Sequence, residues 1–211
     1  MNMHLIPGKN INQHKMKKIK LTNCSGVIVT HPKTAIPLIE QIPEYYFTTK
    51  STGVMPRVVP TREMLIYPQN FPGIQFANRE PIITQFSQFG LGNAVGLANP
   101  GKDSERAEII ESRIPANRIC ASIFGSNPEE FASVARTLED VVGRIQKNDS
   151  CPHAKGYGMQ IGQDPESVEQ TTRAVRAVTK KIIEVKFGVM PNLLASVKAA
   201  IKGGADRIVL I

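Results

Sequence analysis

The second half of the sequence alternates between short apolar runs and capped helical patterns, which leaves few folds open to it. Residues 118–125 form an apolar run closed by glycine, as is typical of a buried strand. Asn127 and Pro128 then provide a cap and a first-turn proline for a helix, and Asp164 and Pro165 repeat that order. Strands and helices that alternate with short connections predict a parallel α/β architecture.

Six segments read as strands, and they leave two α/β arrangements open. An eight-stranded α/β barrel normally needs ~250 residues. An open doubly wound sheet fits the length of 211 residues better, but no Gly-x-Gly-x-x-Gly turn follows a strand. The sequence ends inside an apolar run, which predicts a chain that stops before such a barrel is complete. The predicted strands are residues 26–30, 45–50, 118–125, 141–150, 181–188 and 207–211.

The first half is less regular than the second. Residues 34–42 and 103–114 are predicted as helices, the latter amphipathic. Residues 55–89 contain five prolines and predict a long excursion that includes a hairpin. Such an excursion inside a compact domain is usually functional.

Composition and charge exclude several classes of protein. With 41% hydrophobic and 21% charged residues, the chain is typical of a globular protein rather than a disordered one. No apolar run approaches the ~20 residues that span a bilayer, and the start lacks a secretory signal, so we expect a cytoplasmic protein without a membrane anchor. Much of the net charge of +8 lies in residues 1–22, which form a basic arm. Such an arm is more often a solvated tail than a nucleic-acid-binding element.

Three cysteines, an odd number without a close pair, argue against a disulfide framework and against a four-ligand metal site. Cys151 differs from the other two because it follows a predicted strand, and ligands bind at that end of parallel strands. Ser150 and His153 are close enough in sequence to polarise its thiol for proton chemistry. Taken alone, however, a loop cysteine is more often an ordinary thiol.

Four segments of the sequence carry motifs that can be compared with known families. The Asn-x-Ser-Cys-Pro-His sequence of residues 148–153 is followed by Gly-Gln-Asp-Pro-Glu at 162–166. Residues 93–101 read Asn-x-x-Gly-Leu-x-Asn-x-Gly, and Thr-Lys-Ser at 49–51 and Val-Lys at 185–186 complete the set. In this order and spacing the four segments resemble the dihydroorotate dehydrogenase family and its relative, the pyrimidine-reducing domain of dihydropyrimidine dehydrogenase. The resemblance covers residues 23–211.

This resemblance implies a (β/α)8 TIM-barrel-type domain over residues 23–211 that binds FMN, with about six of the eight strands present. It implies that dihydroorotate is oxidised to orotate in pyrimidine biosynthesis, with Cys151 as the general base and hydride transfer to the flavin. The resemblance leaves the electron acceptor open, with an electron-transfer partner subunit as one possibility, and it implies a homo-oligomer because dimers are common among the relatives. The implied substrate-binding residues are Asn93, Asn99, Asn148 and Ser150, and the implied flavin-binding residues are Lys50, Ser51 and Lys186.

These assignments have alternatives, and the sequence differs from the family pattern at some points. The lysines could reach solvent, and Asn93 and Asn99 could only form turns beside glycine. Dihydrouracil or dihydrothymine could replace dihydroorotate, or the chain could be a catalytically silent barrel that serves as a binding or assembly subunit. The family's FMN phosphate loops follow its seventh and eighth strands, and this chain ends at the sixth. Lys147 and Asp149 should point toward the helix layer, where charge is costly unless it is paired. They could pair with each other or with a helix residue, or this segment could have drifted under relaxed selection.

Overall fold

The computed structural model describes residues 20–24, 31–57, 83–87, 90–93, 97–151 and 156–211, with the backbone alone for 83–87 and 90–93. The strands in chain order are β1 (Leu21–Thr22), β2 (Tyr45–Thr48), β3 (Ile83–Ser87), β4 (Gly90–Asn93), β5 (Ile119–Ile123), β6 (Arg144–Asn148), β7 (Ile182–Phe187) and β8 (Arg207–Leu210). The helices are α1 (Pro32–Gln41), α2 (Lys102–Ser112), α3 (Pro128–Leu138), α4 (Met159–Gly162), α5 (Pro165–Val178) and α6 (Leu193–Lys202), with a short 3-10 helix at Ala116–Arg118.

Strand order distinguishes the two α/β arrangements. Six strands form one parallel sheet in the order β1-β2-β5-β6-β7-β8, so each strand lies beside the next parallel strand along the chain. A doubly wound sheet would reverse its strand order at a switch point. Continuous order with helical crossovers of one hand is the winding of a (β/α)8 barrel. The predicted fold class, with six of the barrel's strands, is therefore confirmed.

Local sequence explains where the crossover helices begin. The Oδ1 of Asn127 accepts a hydrogen bond of 2.9 Å from the backbone nitrogen of Glu130, and Pro128 occupies the first turn of α3. Asp164 caps α5 in the same way, accepting from the backbone nitrogens of Glu166 and Ser167. Both predicted caps are confirmed.

The two faces of the sheet differ in chemistry. Alternate side chains of β5, β6 and β7, such as Ile119, Ile145 and Ile183, pack against the helices and form the apolar core. The opposite face carries buried polar side chains, including Ser122, Gln146, Asn148, Glu184 and Lys186. The polar face is therefore the inner face of the barrel wall, and it directs the functional groups inward.

The structure corrects part of the first half. Leu21 and Thr22 form β1, so the sheet begins inside residues 1–22, which the sequence had assigned to the basic arm. The predicted strand at 26–30 and arm residues 1–19 lie outside the described residues. Helix α2 forms where it was predicted, but it is not amphipathic as predicted, because Glu105 is buried while Ile110 is exposed.

A hairpin forms later in the chain than predicted, because its first strand, β3, lies at the end of the proline-rich excursion and its antiparallel partner, β4, lies beyond residue 89. Residues 58–82 and 88–89 of that excursion lie outside the described part. None of the helices formed by the described residues is both long enough and apolar enough to cross a membrane.

Candidate active site

Four of the predicted site residues lie at the carboxyl ends of three strands, and a fourth strand adds a residue that was not predicted. Lys50 and Ser51 follow β2, Asn148 ends β6 and is paired in register with Lys186 of β7, and Ser122 lies near the end of β5 between them. All of these side chains are buried. In α/β barrels, catalysis takes place at this end of the strands.

A chain of hydrogen bonds links three strands across this rim. The Nδ2 of Asn148 donates to the Oγ of Ser51 at 2.7 Å, and that oxygen lies 2.8 Å from the Oγ of Ser122. The Oδ1 of Asn148 accepts from the backbone nitrogen and the Oγ of Ser150, at 3.2 and 2.7 Å. The carboxamide is thus fixed in orientation. Among the residues that the structure describes, one of its two amide hydrogens has no acceptor and is left for a ligand.

Sequence reasoning missed Ser122. It stands two residues after Cys120 on a strand read only as apolar, and alternation alone could have placed it on the inner face. Its contact with Ser51 depends on the register between β2 and β5.

Cys151 is half-buried, and its backbone is in contact with Gly158 and Met159 further along the chain. Its carbonyl oxygen accepts a hydrogen bond of 2.9 Å from the backbone nitrogen of Met159. Gly158 has φ +56° and lies so close that a Cβ there would be 2.5 Å from the same oxygen. Only glycine fits this position without moving Cys151. The intervening residues 152–155, with His153, lie outside the described part.

An apolar wall lies beside Cys151. Leu97 and Phe124 are buried, and Cys151 and Tyr157 pack against them. The rings of Phe124 and Tyr157 meet edge to face with centroids 5.5 Å apart, and Arg57 lies 5.8 Å from the Tyr157 centroid. The wall gives a flat ring an apolar surface to lie against. Neither Phe124 nor Tyr157 was predicted to be a site residue.

Lys186 brings a positive charge to the same rim. Burial lowers the pKa of this lysine, while the thiols near it, that of Cys151 among them, act in the opposite direction. Lys50 is buried to a similar degree at the end of β2. Cationic groups held out of water at a strand end suit a ligand that carries or develops negative charge.

Asn99 braces two loops beside the site. Its Oδ1 accepts from the backbone nitrogens of Gly53 and Gly101, at 3.2 and 2.9 Å, and its Nδ2 donates to the carbonyl of Leu97 at 2.9 Å. Its backbone exchanges two hydrogen bonds with Arg57. These are the contacts of the turn-forming alternative, and its predicted contact with substrate stays a prediction.

Asn93 is described only as a backbone position. It ends β4, where it pairs in register with Ile83, and its side chain lies outside the described part. Its predicted role in the substrate pocket therefore stays a prediction as well.

Comparisons of the sequence and of the structure with known proteins point to one family. The sequence profile of the family described as dihydroorotate dehydrogenase matches residues 72–210, which contain β3 to β8. The dihydroorotate dehydrogenase B (NAD(+)) catalytic subunit of Pyrococcus horikoshii is 46% identical over 123 residues, covering 57% of this chain and 40% of the relative. The subunit of the same name from Methanocaldococcus jannaschii is 37% identical over 171 residues, covering 78% of this chain and 49% of the relative.

A solved structure shares the fold. The crystal structure of DHODH in complex with ferulenol from Eimeria tenella superposes with a TM-score of 0.54 at 10% identity, over 77% of this chain and 48% of that one. At such low identity the likeness concerns the fold alone. The chain spans less than half the length of these relatives, and the family profile matches most of its described strands and candidate site residues. The chain belongs to the dihydroorotate dehydrogenase family.

Proposed function

We propose that this chain provides the pyrimidine-facing part of an FMN-dependent oxidoreductase that converts dihydroorotate to orotate in pyrimidine biosynthesis. The observation that carries the proposal is the position of Cys151 beside Asn148, Ser150 and Lys186, at the adjoining ends of β6 and β7. The named relatives, dihydroorotate dehydrogenase B catalytic subunits, support the same reaction.

Cys151 acts as the general base in this proposal. Forming the ring double bond removes a proton from one carbon and a hydride from its neighbour, and the thiolate of Cys151 takes the proton. Two contacts hold the backbone of Cys151 in place, the hydrogen bond from Met159 and the close approach of Gly158. Catalysis benefits from such fixed geometry because orientation is set before substrate binds.

Asn148 and Ser150 position the pyrimidine. A carboxamide offers both a donor and an acceptor to the imide of the ring, and Asn148 keeps one amide hydrogen after its contact with Ser51. Asn99 keeps one as well after its contact with Leu97. Asn93 completes the proposed substrate-binding set, at the end of the β3–β4 hairpin.

The residues on the rim fit a flavin. Burial lowers the pKa of Lys186, so its charge is held where solvation is poor, and a ring that becomes anionic on reduction would offset that penalty. Lys50 and Ser51, at the end of β2, would hold the same ring. Bound FMN would supply the acceptor for the substrate's hydride.

The proposal extends to partners and setting. The relatives are named as catalytic subunits, which supports a separate subunit that takes electrons from the flavin. We also propose a homo-oligomer in the cytoplasm. All three cysteines are free, as suits a reducing compartment.

An absorption spectrum of the purified chain between 300 and 550 nm, followed during substrate addition, tests the proposal. We expect flavin bands that bleach with dihydroorotate. Bleaching by dihydrouracil alone would transfer the assignment to a dihydropyrimidine dehydrogenase. A colourless protein that FMN does not reconstitute would contradict the enzyme proposal and favour a silent barrel that serves assembly.

The role of Cys151 has its own test. Cys151→Ser should lower the rate of flavin reduction by dihydroorotate at least ~100-fold, the range of general-base catalysis, without changing flavin content. Arg136→Met, which alters an exposed side chain on α3, is the control and should reduce at the wild-type rate. Equal rates in the two variants would remove Cys151 from the mechanism.

A further inference from the structure

A cavity of about 260 Å³ opens at the opposite end of the sheet from Cys151. Its lining comes from residues at or just before the amino ends of strands, including Lys20, Tyr46, Arg118 and Arg144. Arg144 begins β6, whose other end carries the active-site loop. At ~3.3 Å per residue, the four steps from Arg144 to Asn148 place the cavity roughly 13 Å below the catalytic rim.

The charge of the lining is positive. Three cationic side chains line the cavity, and the one carboxylate among its residues is that of Glu44. Arg118 is fixed by neutral groups, because its Nε donates to the carbonyl of Tyr45 at 2.7 Å and its Nη2 to those of Ile39 and Ile42 at 3.0 and 2.9 Å. Carbonyl partners orient a guanidinium without cancelling its charge.

Arg144 is the unusual member of the set. It is only 6% exposed, and its guanidinium stacks on Tyr46 with Cζ 4.0 Å from the ring centroid. Within the part of the chain that the structure describes, its buried Nη1 has no hydrogen-bond partner. Glu184 on the neighbouring strand accepts instead from the Nε2 of Gln146 and an Nη of Arg207, each at 3.3 Å.

A buried guanidinium nitrogen without an acceptor is costly, since its hydration is lost and nothing replaces it. Arg144 borders the cavity, so an anion bound there would lie beside this guanidinium and compensate its charge. Guanidinium groups match the tetrahedral oxygens of phosphate through paired N–H donors, and stacking on an aromatic ring presets the plane of the fork. The volume lies at the lower limit of small-molecule sites, which are ~300–1,000 Å³, so it suits a phosphate or a small ester rather than a nucleotide.

We propose that this cavity is a phosphoryl-anion site, separate from the active site, in which Arg144 is the principal ligand and Lys20 and Arg118 add positive charge. The anion is inorganic phosphate or a small phosphomonoester. The site does not depend on the proposed oxidoreductase activity, because none of its residues touches the catalytic rim.

Calorimetric titration of the full chain with inorganic phosphate, and in parallel with methyl phosphate, tests the proposal. Potassium chloride at matched ionic strength measures non-specific charge screening. We expect saturable binding of at least one phosphate and a rise in Tm that follows its saturation, with no such rise in chloride. Tighter binding of methyl phosphate would identify an ester as the ligand, whereas equal or tighter binding of phosphate would identify the free ion.

Variants separate this cavity from other cationic surfaces. Arg144→Met should weaken phosphate binding at least tenfold, and Arg144→Lys, which keeps the charge without the fork, should weaken it less. Arg136→Met removes an exposed charge from α3 and is the matched control, with wild-type affinity expected. Cys151→Ser should also bind phosphate normally, so loss of catalysis and loss of this site remain distinguishable.

Two results would overturn the proposal. One is the absence of saturable phosphate binding by the wild-type chain. The other is equal affinity in Arg144→Met and Arg136→Met, which would place any bound phosphate elsewhere. Circular dichroism of Arg144→Lys checks that its fold is intact, so that weakened binding can be attributed to the lost donor geometry.

Discussion

The Nζ of Lys147 contacts the Oδ2 of Asp149 on the helix-facing side of β6, and both side chains are completely buried. The Lys147 ammonium also lies 4.7 Å from the ring centroid of Phe131 on α3. Among the described residues, the second carboxylate oxygen of Asp149 has no hydrogen-bond partner. Burial raises the pKa of Asp149 and lowers that of Lys147, and each charge opposes the effect on the other.

We predict that removing either charge of the Lys147–Asp149 pair alone destabilises the protein, whereas removing both together does not. Lys147→Met should destabilise the protein by ~3–5 kcal/mol, because it leaves a buried carboxylate uncompensated, and Asp149→Leu should do the same through the stranded ammonium. The double variant Lys147→Met/Asp149→Leu should unfold within ~1 kcal/mol of wild type, or above it, because apolar side chains suit the core. Urea denaturation of the four proteins measures this coupling. Additive losses in the double variant would show that the charges do not interact.

The sequence could predict this pair because its members are two residues apart on one strand. Period-two alternation placed Lys147 and Asp149 toward the helices, and the cost of buried charge required a partner. One of the two predicted pairings, with each other, is the one formed. Asn148, Ser150 and Cys151 lie close together at the end of the same strand, and their roles were predicted from the resemblance to the family.

What the sequence could not predict depends on contacts between distant segments. The Ser51–Ser122 hydrogen bond joins residues 71 positions apart, and it requires the register of β2 against β5. Asn99 reaches Gly53 across 46 positions, from a loop whose path no local pattern encodes. The stacking of Arg144 on Tyr46 likewise depends on which inner-face side chains become neighbours.

Gly158 should be required for the position of Cys151, and a control at a second glycine separates this effect from that of backbone strain. Gly158→Ala places a Cβ 2.5 Å from the Cys151 carbonyl oxygen at a positive φ, so we expect Cys151 to shift and flavin reduction by dihydroorotate to fall at least ~10-fold. Gly156→Ala is the matched control. Position 156 also has a positive φ (+81°), but a Cβ there meets nothing within 4 Å.

Stopped-flow reduction and the rate of Cys151 alkylation measure both variants. The control should lose only the ~1 kcal/mol of backbone strain and keep its reduction rate. If Gly156→Ala and Gly158→Ala slow reduction equally, the flexibility of the loop would be responsible and the contact with Cys151 would not.

Ser122 should contribute to substrate binding through Ser51 and Asn148. Ser122→Ala removes the 2.8 Å contact with Ser51 and should destabilise the fold by ~1 kcal/mol. Because Ser51 accepts from Asn148, looser positioning of the carboxamide should raise the KM for dihydroorotate about threefold to tenfold with little change in kcat.

A control for that prediction lies away from the carboxyl ends of the strands. Thr179→Ala removes one hydroxyl that accepts from the backbone nitrogen of Lys181 at 3.0 Å, before the amino end of β7, and should leave KM unchanged. Steady-state kinetics with an artificial electron acceptor separate the two variants. A parallel rise of KM in both would indicate general loosening of the barrel, and Ser122 would have no particular role at the site.

Lys186 should reveal a conflict between stability and function. Because burial lowers the pKa of Lys186, the folded state carries a penalty for the charged ammonium at neutral pH. Lys186→Met should therefore raise the Tm of the flavin-free chain at pH 7 while reducing its capacity to bind FMN. Lys198→Met, on the exposed surface of α6, is the control and should change neither quantity.

The dependence of stability on pH tests whether the charged form of Lys186 carries this penalty. Between the lowered pKa of Lys186 and the ordinary lysine value of 10.5, the unfolded chain binds more protons than the folded one, so wild-type stability gains from this residue as pH rises. Lys186→Met lacks that gain, and its advantage in Tm should shrink between pH 7 and pH 10. An advantage that is constant with pH would mean that the ammonium is fully compensated in the folded chain. The stability gained by Lys186→Met would then come from packing of the methionine, and the charge at the rim would carry no penalty for a bound flavin to relieve.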